Sequence, residues 1–157
     1  MNINRRIGVI TALILATFLL PLGLEANEEA DHKVRYRKDL MKATAAHMGT
    51  LGCYMKGKCQ LPPKVLKRAA HGIALMGRLS IPAYKSPTPG ATVKTTSNAK
   101  VWAEWNQFEK GLNTMVERAQ ALKRAAASGE RGQMGPAMGM LGKTCKGCHE
   151  TFRDKKK

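Results

Sequence analysis

Cys145-Lys146-Gly147-Cys148-His149 is the stretch of this chain whose residue types and spacing can do chemistry. A C-x-x-C-H run reads as the attachment point of a c-type haem. On a helix, Cys145 and Cys148 stand three residues apart, so both sulfurs leave one face and can form thioethers to the two vinyl-derived carbons of a single haem. His149 follows Cys145 by four residues, which brings its imidazole to the same face, beneath the iron, as the proximal ligand. Two other chemistries use paired cysteines. A thioredoxin-like redox pair opens a helix after a strand, whereas this pair lies near the end of a chain with a helical pattern throughout. A zinc site needs further ligands, and Cys53 and Cys59 lie six apart with no partnering histidine.

The elements that must carry this motif can be read from periodicity. Val34, Arg37, Met41, Thr44, Met48, Leu51 and Met55 recur at steps of three and four and define one stripe of a first helix. Gly57 is positioned to cap it, and Pro62 and Pro63 open a second helix with Leu66, Ala69, Ile73, Met76 and Ser80 on its stripe, ending at Pro82. Residues 82–97 combine three prolines and Gly90 with serines and threonines, the composition of a long crossing loop. Asn98 can cap a third helix with Val101, Trp105, Phe108, Leu112, Met115, Ala119, Leu122 and Ala126 facing inward, stopped by Gly129. A fourth stripe holds Met134, Met138, Leu141, Cys145, Cys148 and Phe152. The expected fold is therefore all-α, an antiparallel four-helix bundle with the haem attached covalently near the C-terminus.

Composition agrees. The chain has 157 residues, 43% apolar and 24% charged, with only 5% aromatic, which suits one helical domain and excludes a disordered segment or a multi-spanning membrane protein. Arg5 and Arg6 precede an apolar run from Ile7 to Leu20, and Pro21, Gly23 and Ala26 follow it before Glu28 and Glu29. That order is a secretory leader, and the run falls short of the ~20 residues that span a bilayer. The expected division is a cleaved signal peptide at 1–26 and a mature domain at 27–157. Cleavage removes two arginines and one glutamate from a formal charge of +16, leaving +15. Nucleic acid is not expected as a partner, because the basic residues are spread along an exported chain. Acidic redox partners or an anionic membrane surface fit the charge better. Serine, histidine and carboxylate do not cluster as hydrolysis would need, so an enzyme is not expected.

The chain resembles the class II cytochromes c, the cytochrome c-prime family. The resemblance is carried by Val34-Arg35-Tyr36-Arg37 through His47-Met48-Gly49, by Val101-Trp102 with Phe108, and by Thr144 through Arg153 around the cysteine motif. It implies a bacterial periplasmic four-helix bundle with one covalent haem c, often paired as a homodimer. The family divides by what covers the iron's second axial face. In a high-spin branch an apolar side chain of the first helix blocks it, leaving five-coordinate iron open to nitric oxide or carbon monoxide; in a low-spin branch a methionine of that helix binds the iron. Laying the family's tyrosine-arginine pair on Tyr36 and Arg37 puts the distal position at Met41.

Helical geometry also places Met41 inward, one turn after Arg37. A thioether opposite histidine raises the reduction potential and favours electron transfer, although methionine on an apolar stripe is also an ordinary core filler. The leading expectation is thus a periplasmic one-electron carrier with His149 and Met41 as axial ligands, and the alternative is a five-coordinate gas-binding protein. Arg37 is expected to meet a haem propionate or to reach solvent at the rim, and Arg153 to lie near the proximal imidazole or a propionate. Cys53 points away from the stripe, and a turn at Gly57 can bring it to Cys59; a disulfide is favoured over free or intermolecular cysteines, and departs from the usual family pattern. A redox-sensing role for that pair is a further alternative. His32, ahead of the first helix, and His71 are expected in solvent. His47 is expected to be structural, and Trp102 and Trp105 to pack over the haem edge or between helices.

Overall fold

A computed structural model of the chain describes residues 22–155. The expected leader, 1–26, lies for the most part outside the described residues. Four long helices account for most of the rest: α1 at Leu22–Met55, α2 at Pro63–Tyr84, α4 at Trp105–Ala125 and α5 at Arg131–Phe152. A single-turn helix, α3 at Lys100–Ala103, precedes α4. Short links join α1 to α2 and α4 to α5, so each pair runs antiparallel.

The turns are set by backbone chemistry. After α1, Gly57 adopts φ +69°, its N–H bonds the Tyr54 carbonyl at 2.9 Å, and the Lys58 N–H bonds the Cys53 carbonyl at 3.0 Å. That pair of bonds is the Schellman ending, which a left-handed glycine makes without steric cost. Pro63 occupies the first turn of α2, where a missing N–H costs nothing. Gly129 turns the chain into α5 at φ +72°, and a Cβ there would lie 2.8 Å from Pro63, so both conformation and proximity require glycine. The Tyr54 hydroxyl donates to the Gly129 carbonyl, and Arg131 Nε donates to the Tyr54 carbonyl at 2.8 Å. This clasp ties the two turns at one end of the bundle.

Two apolar clusters fill the interior. The larger one, at the end with the turns, gathers Leu51, Leu66, Ile73, Leu122, Met134 and Leu141 with many alanines. The smaller one, at the opposite end, is aromatic and holds Tyr84, Val101, Phe108, Leu112 and Phe152.

Three expectations about elements need correction. α2 continues through Pro82 to Tyr84, because a proline in the last turn removes only one bond at a place where the ladder is already ending. The third helix is broken at Glu104, with φ −117° and ψ 43°, into α3 and α4. Beside this break, Trp102 Nε1 donates to the Tyr84 carbonyl at 2.9 Å and Val101 is buried against the aromatic cluster. His32 lies within α1 rather than ahead of it, and is exposed.

Candidate functional site

The cysteine motif sits in the last turns of α5, where the two clusters meet. Cys145 packs against the aliphatic cluster and Cys148 against the aromatic one, and both thiols are free and half-buried. Burial pushes both thiols up from their ordinary pKa, and Cys148 is raised further by its neighbour Cys145, so each is a protonated thiol at neutral pH. Partial burial, and then the charge of Arg153, hold the His149 imidazole below its usual value. A neutral imidazole keeps a nitrogen lone pair for a metal.

Across from this turn, Met41 of α1 is half-buried and packs against the same aromatic cluster as Cys148. α1 lies against α2, and α5 against α4, whereas α1 and α5 scarcely touch. The space between them is thus bordered by the Met41 thioether on one helix and by the Cys145 and Cys148 thiols on the other, with His149 exposed beside them. On α4, Gly111 faces Cys148, and a Cβ there would come within 3.9 Å of its sulfur. Soft sulfur and imidazole donors at covalent-attachment spacing, next to aromatic walls, fit a haem c.

Arg37 does not reach solvent at the rim. It is only 4% exposed, which excludes a snorkelling side chain, and its guanidinium is held by protein groups. Nε donates to the Ala83 carbonyl at 2.6 Å, Nη2 to the Ser86 carbonyl at 2.6 Å and Nη1 to Thr88 Oγ1 at 3.2 Å. The group also lies 5.2 Å from the Tyr84 ring centre and 5.6 Å from that of Trp102. Guanidinium has five N–H donors, so two stay available beyond these three bonds. Arg37 therefore roots the crossing loop beside the aromatic cluster.

The rest of that loop is fastened down its length. Asp31 accepts from the Thr92 and Val93 N–H groups at 2.6 and 2.8 Å and from the Thr92 hydroxyl at 2.6 Å. These bonds, led by the hydroxyl, hold its carboxyl below the ordinary aspartate range. At the loop's end, Asn98 N–H donates to the Phe152 carbonyl at 3.1 Å and Asp154 N–H to the Thr96 carbonyl at 2.8 Å. Ser97 and Arg153 pair there as a backbone bridge, so exposed Arg153 stands where the loop meets the end of α5.

The remaining residues fall as follows. Cys53 and Cys59 are joined by a disulfide with Cα atoms 5.6 Å apart, far along α1 from Met41. His71 is exposed, and His47 lies over Gly72, where a Cβ would meet the imidazole at 2.3 Å. Trp105 stacks near Phe108, donates to Glu109 at 3.0 Å and lies under the Lys85 ammonium. Tyr84, buried between Phe108 and Arg37, went unnoticed in the sequence because the stripe of α2 was ended at Pro82; continuing it by four from Ser80 reaches Tyr84. No simple pattern signals Gly111.

A helical bundle that carries C-x-x-C-H on its last helix, with a soft-donor cleft beside it, defines a haem c protein. The chain belongs to the cytochrome c' family, whose model matches residues 32–153. It is similar to cytochrome c' of Pararhodospirillum photometricum, 39% identical over 121 residues, covering 77% of this chain and 95% of that protein. It is also similar to a cytochrome c-554 of Cereibacter sphaeroides, 25% identical over 146 residues, covering 92% of this chain and 95% of that protein. The solved structure of cytochrome c prime from Shewanella frigidimarina superposes with a TM-score of 0.72 at 25% identity, covering 82% of this chain and 98% of that one. Like its family, the protein binds one covalent haem c. The expectation of a methionine-ligated branch gains no support, since the family and the more similar relatives are cytochromes c'.

Proposed function

We propose that this protein binds a small gas, nitric oxide or carbon monoxide, at a five-coordinate haem c held by Cys145, Cys148 and His149. The observation that carries the reading is the 39% likeness to a cytochrome c', combined with the seat of Met41 against the same aromatic cluster as Cys148. When bound, the haem would supply an iron able to take a diatomic ligand. Cys145 and Cys148 would fix the ring to α5, and the neutral imidazole of His149 would ligate its iron. Met41 would serve as an apolar cap beside the iron and, with the aromatic cluster, would limit water there. Arg37 holds the loop against this end of the bundle and keeps two N–H donors for a carboxylate of the ring. Arg153 sits near the imidazole and biases it toward the neutral form.

A second reading, one-electron transfer with Met41 as the sixth ligand, rests on the side chain itself, since a thioether can bind iron where a hydrocarbon cannot. Within either reading the protein acts in the periplasm after export by residues 1–26, meets acidic redox partners and pairs as a homodimer. Stopped-flow mixing of the ferrous protein with carbon monoxide separates the readings. Five-coordinate iron gives a rate that rises in proportion to carbon monoxide. A rate that levels off at a fixed value, set by departure of an internal ligand, would overturn the proposal.

A further inference from the structure

The outward face of α2 combines basic and apolar side chains. Between Pro63 and Tyr84 the helix contains no aspartate or glutamate. At about 100° per residue, Lys64, Lys67, Arg68 and His71 fall on one side, and Leu75, Arg78 and Leu79 continue the same arc of roughly 120°. Leu75 is 40% exposed and Leu79 36%, two of the few large apolar side chains left in solvent. Lys123 of α4 joins Lys64, Lys67, Arg68 and His71 around one shallow groove. Among the described residues, the ion pairs are Lys33 with Glu29, Arg35 with Asp31, Lys42 with Asp39 and Lys146 with Glu150. None of the groove's cations is paired with a carboxylate.

We infer that this face docks the protein on an anionic phospholipid surface, with the groove's cations on headgroup phosphates and Leu75 and Leu79 dipping toward the acyl boundary. A basic helical face with leucines among its charges is the interfacial pattern. Charge favours lipid phosphate over a second copy, because the chain is strongly basic, formally +16, and a like-charged copy offers few carboxylates to these cations. Distance argues against a redox partner. Arg68 and Tyr84 are sixteen residues apart on one helix, about 24 Å, so a protein seated on the groove would be remote from the end that carries Cys148. Docked this way, α2 lies along the lipid surface. The inference takes the position of the haem from the proposed function, but not the iron's ligation.

The test is co-sedimentation of the haem-loaded protein with phosphatidylcholine vesicles with and without phosphatidylglycerol. Binding is expected only with phosphatidylglycerol and should weaken as salt rises. The variant Lys64→Gln/Lys67→Gln/Arg68→Gln/Lys123→Gln should lose affinity by roughly fivefold per cation, on the order of a hundredfold or more in total. A variant with the same charge change elsewhere, Lys33→Gln/Lys42→Gln/Lys110→Gln/Lys143→Gln, should stay within a fewfold of the parent. Leu75→Ser/Leu79→Ser should bind more weakly at every salt concentration. Unaltered haem spectra and helical circular dichroism confirm that each variant is folded, so failure here is distinct from failure of the gas-binding reading. Equal losses in both four-site variants, or no vesicle binding, would overturn the inference. Groove-dependent binding to polyglutamate without vesicle binding would reassign the face to an acidic protein. A dimer dissolved by Leu75→Ser/Leu79→Ser without vesicle binding would reassign it to a second copy.

Discussion

The two ends of this bundle solve different problems with the same four helices. Around Leu51, Leu66, Ile73, Leu122 and Leu141, aliphatic side chains and alanines bring the helices close, and a disulfide, a Schellman turn and the Tyr54–Arg131 clasp fasten the turns outside. Around Tyr84, Phe108 and Phe152, broad rings replace them, and α1 and α5 stay apart with Met41 and Cys148 between. No tight turn closes this end; a long loop does, through Arg37, Asp31 and the end of α5. One end supplies stability through close packing, and the other trades packing between two helices for room beside a reactive motif.

The contrast breaks most completely at the motif itself. Cys145→Ser/Cys148→Ser should abolish covalent attachment, so the purified protein lacks the added mass of the tetrapyrrole and any haem extracts into acidic organic solvent. Covalent haem surviving in that variant would remove both residues from the site. Next in size, Phe108→Ala should cost about 3–5 kcal/mol and also perturb the haem absorption bands, whereas Leu122→Ala, 0% exposed in the aliphatic cluster, should cost about 2–5 kcal/mol with the bands unchanged. Denaturant unfolding with parallel spectra checks both, and a spectral change from Leu122→Ala would erase the distinction between the ends.

Cys53→Ser/Cys59→Ser opens a small loop at the closed end, and unfolding should become easier by about 2 kcal/mol, again with haem bands intact. Altered gas binding in that variant would mean that the two ends communicate. The smallest effect belongs to Asp31. Its folded pKa is lowered, so its contribution is present above the ordinary aspartate range and is lost as pH falls through the depressed value. Hydrogen-exchange protection of the Thr92 and Val93 amides should fall over that acidic interval, and Asp31→Asn should remove the pH dependence. Protection that persists unchanged would show that the loop is held without this carboxylate.

The helices were legible because their stripes repeat: Leu66, Ala69 and Ile73 on α2, and Phe108, Leu112, Met115, Ala119 and Leu122 on α4, are all buried as periodicity requires. The motif was legible because thioether chemistry fixes its spacing. Loop anchors were not, since Asp31 and Thr92 are far apart in sequence and neither breaks a pattern. Leu40 and Tyr54 were missed because each lies one residue before Met41 and Met55 on the broad inward face of α1, and a single stripe records only one of each pair. Arg37 stood out as a charge on an apolar stripe, but its carbonyl partners carry no side-chain signature. Local rules likewise missed the break at Glu104, where the side chains on both sides suit a helix.

The proposed gas binding requires Met41 to cover the iron without binding it. Resonance Raman and absorption spectra of the ferric and ferrous protein, recorded for the parent and for Met41→Ala, test this directly. Five-coordinate high-spin iron in both proteins is the predicted result. A low-spin parent with a sulfur-to-iron charge-transfer band, converted to high-spin iron by the substitution, would contradict it and make Met41 a ligand.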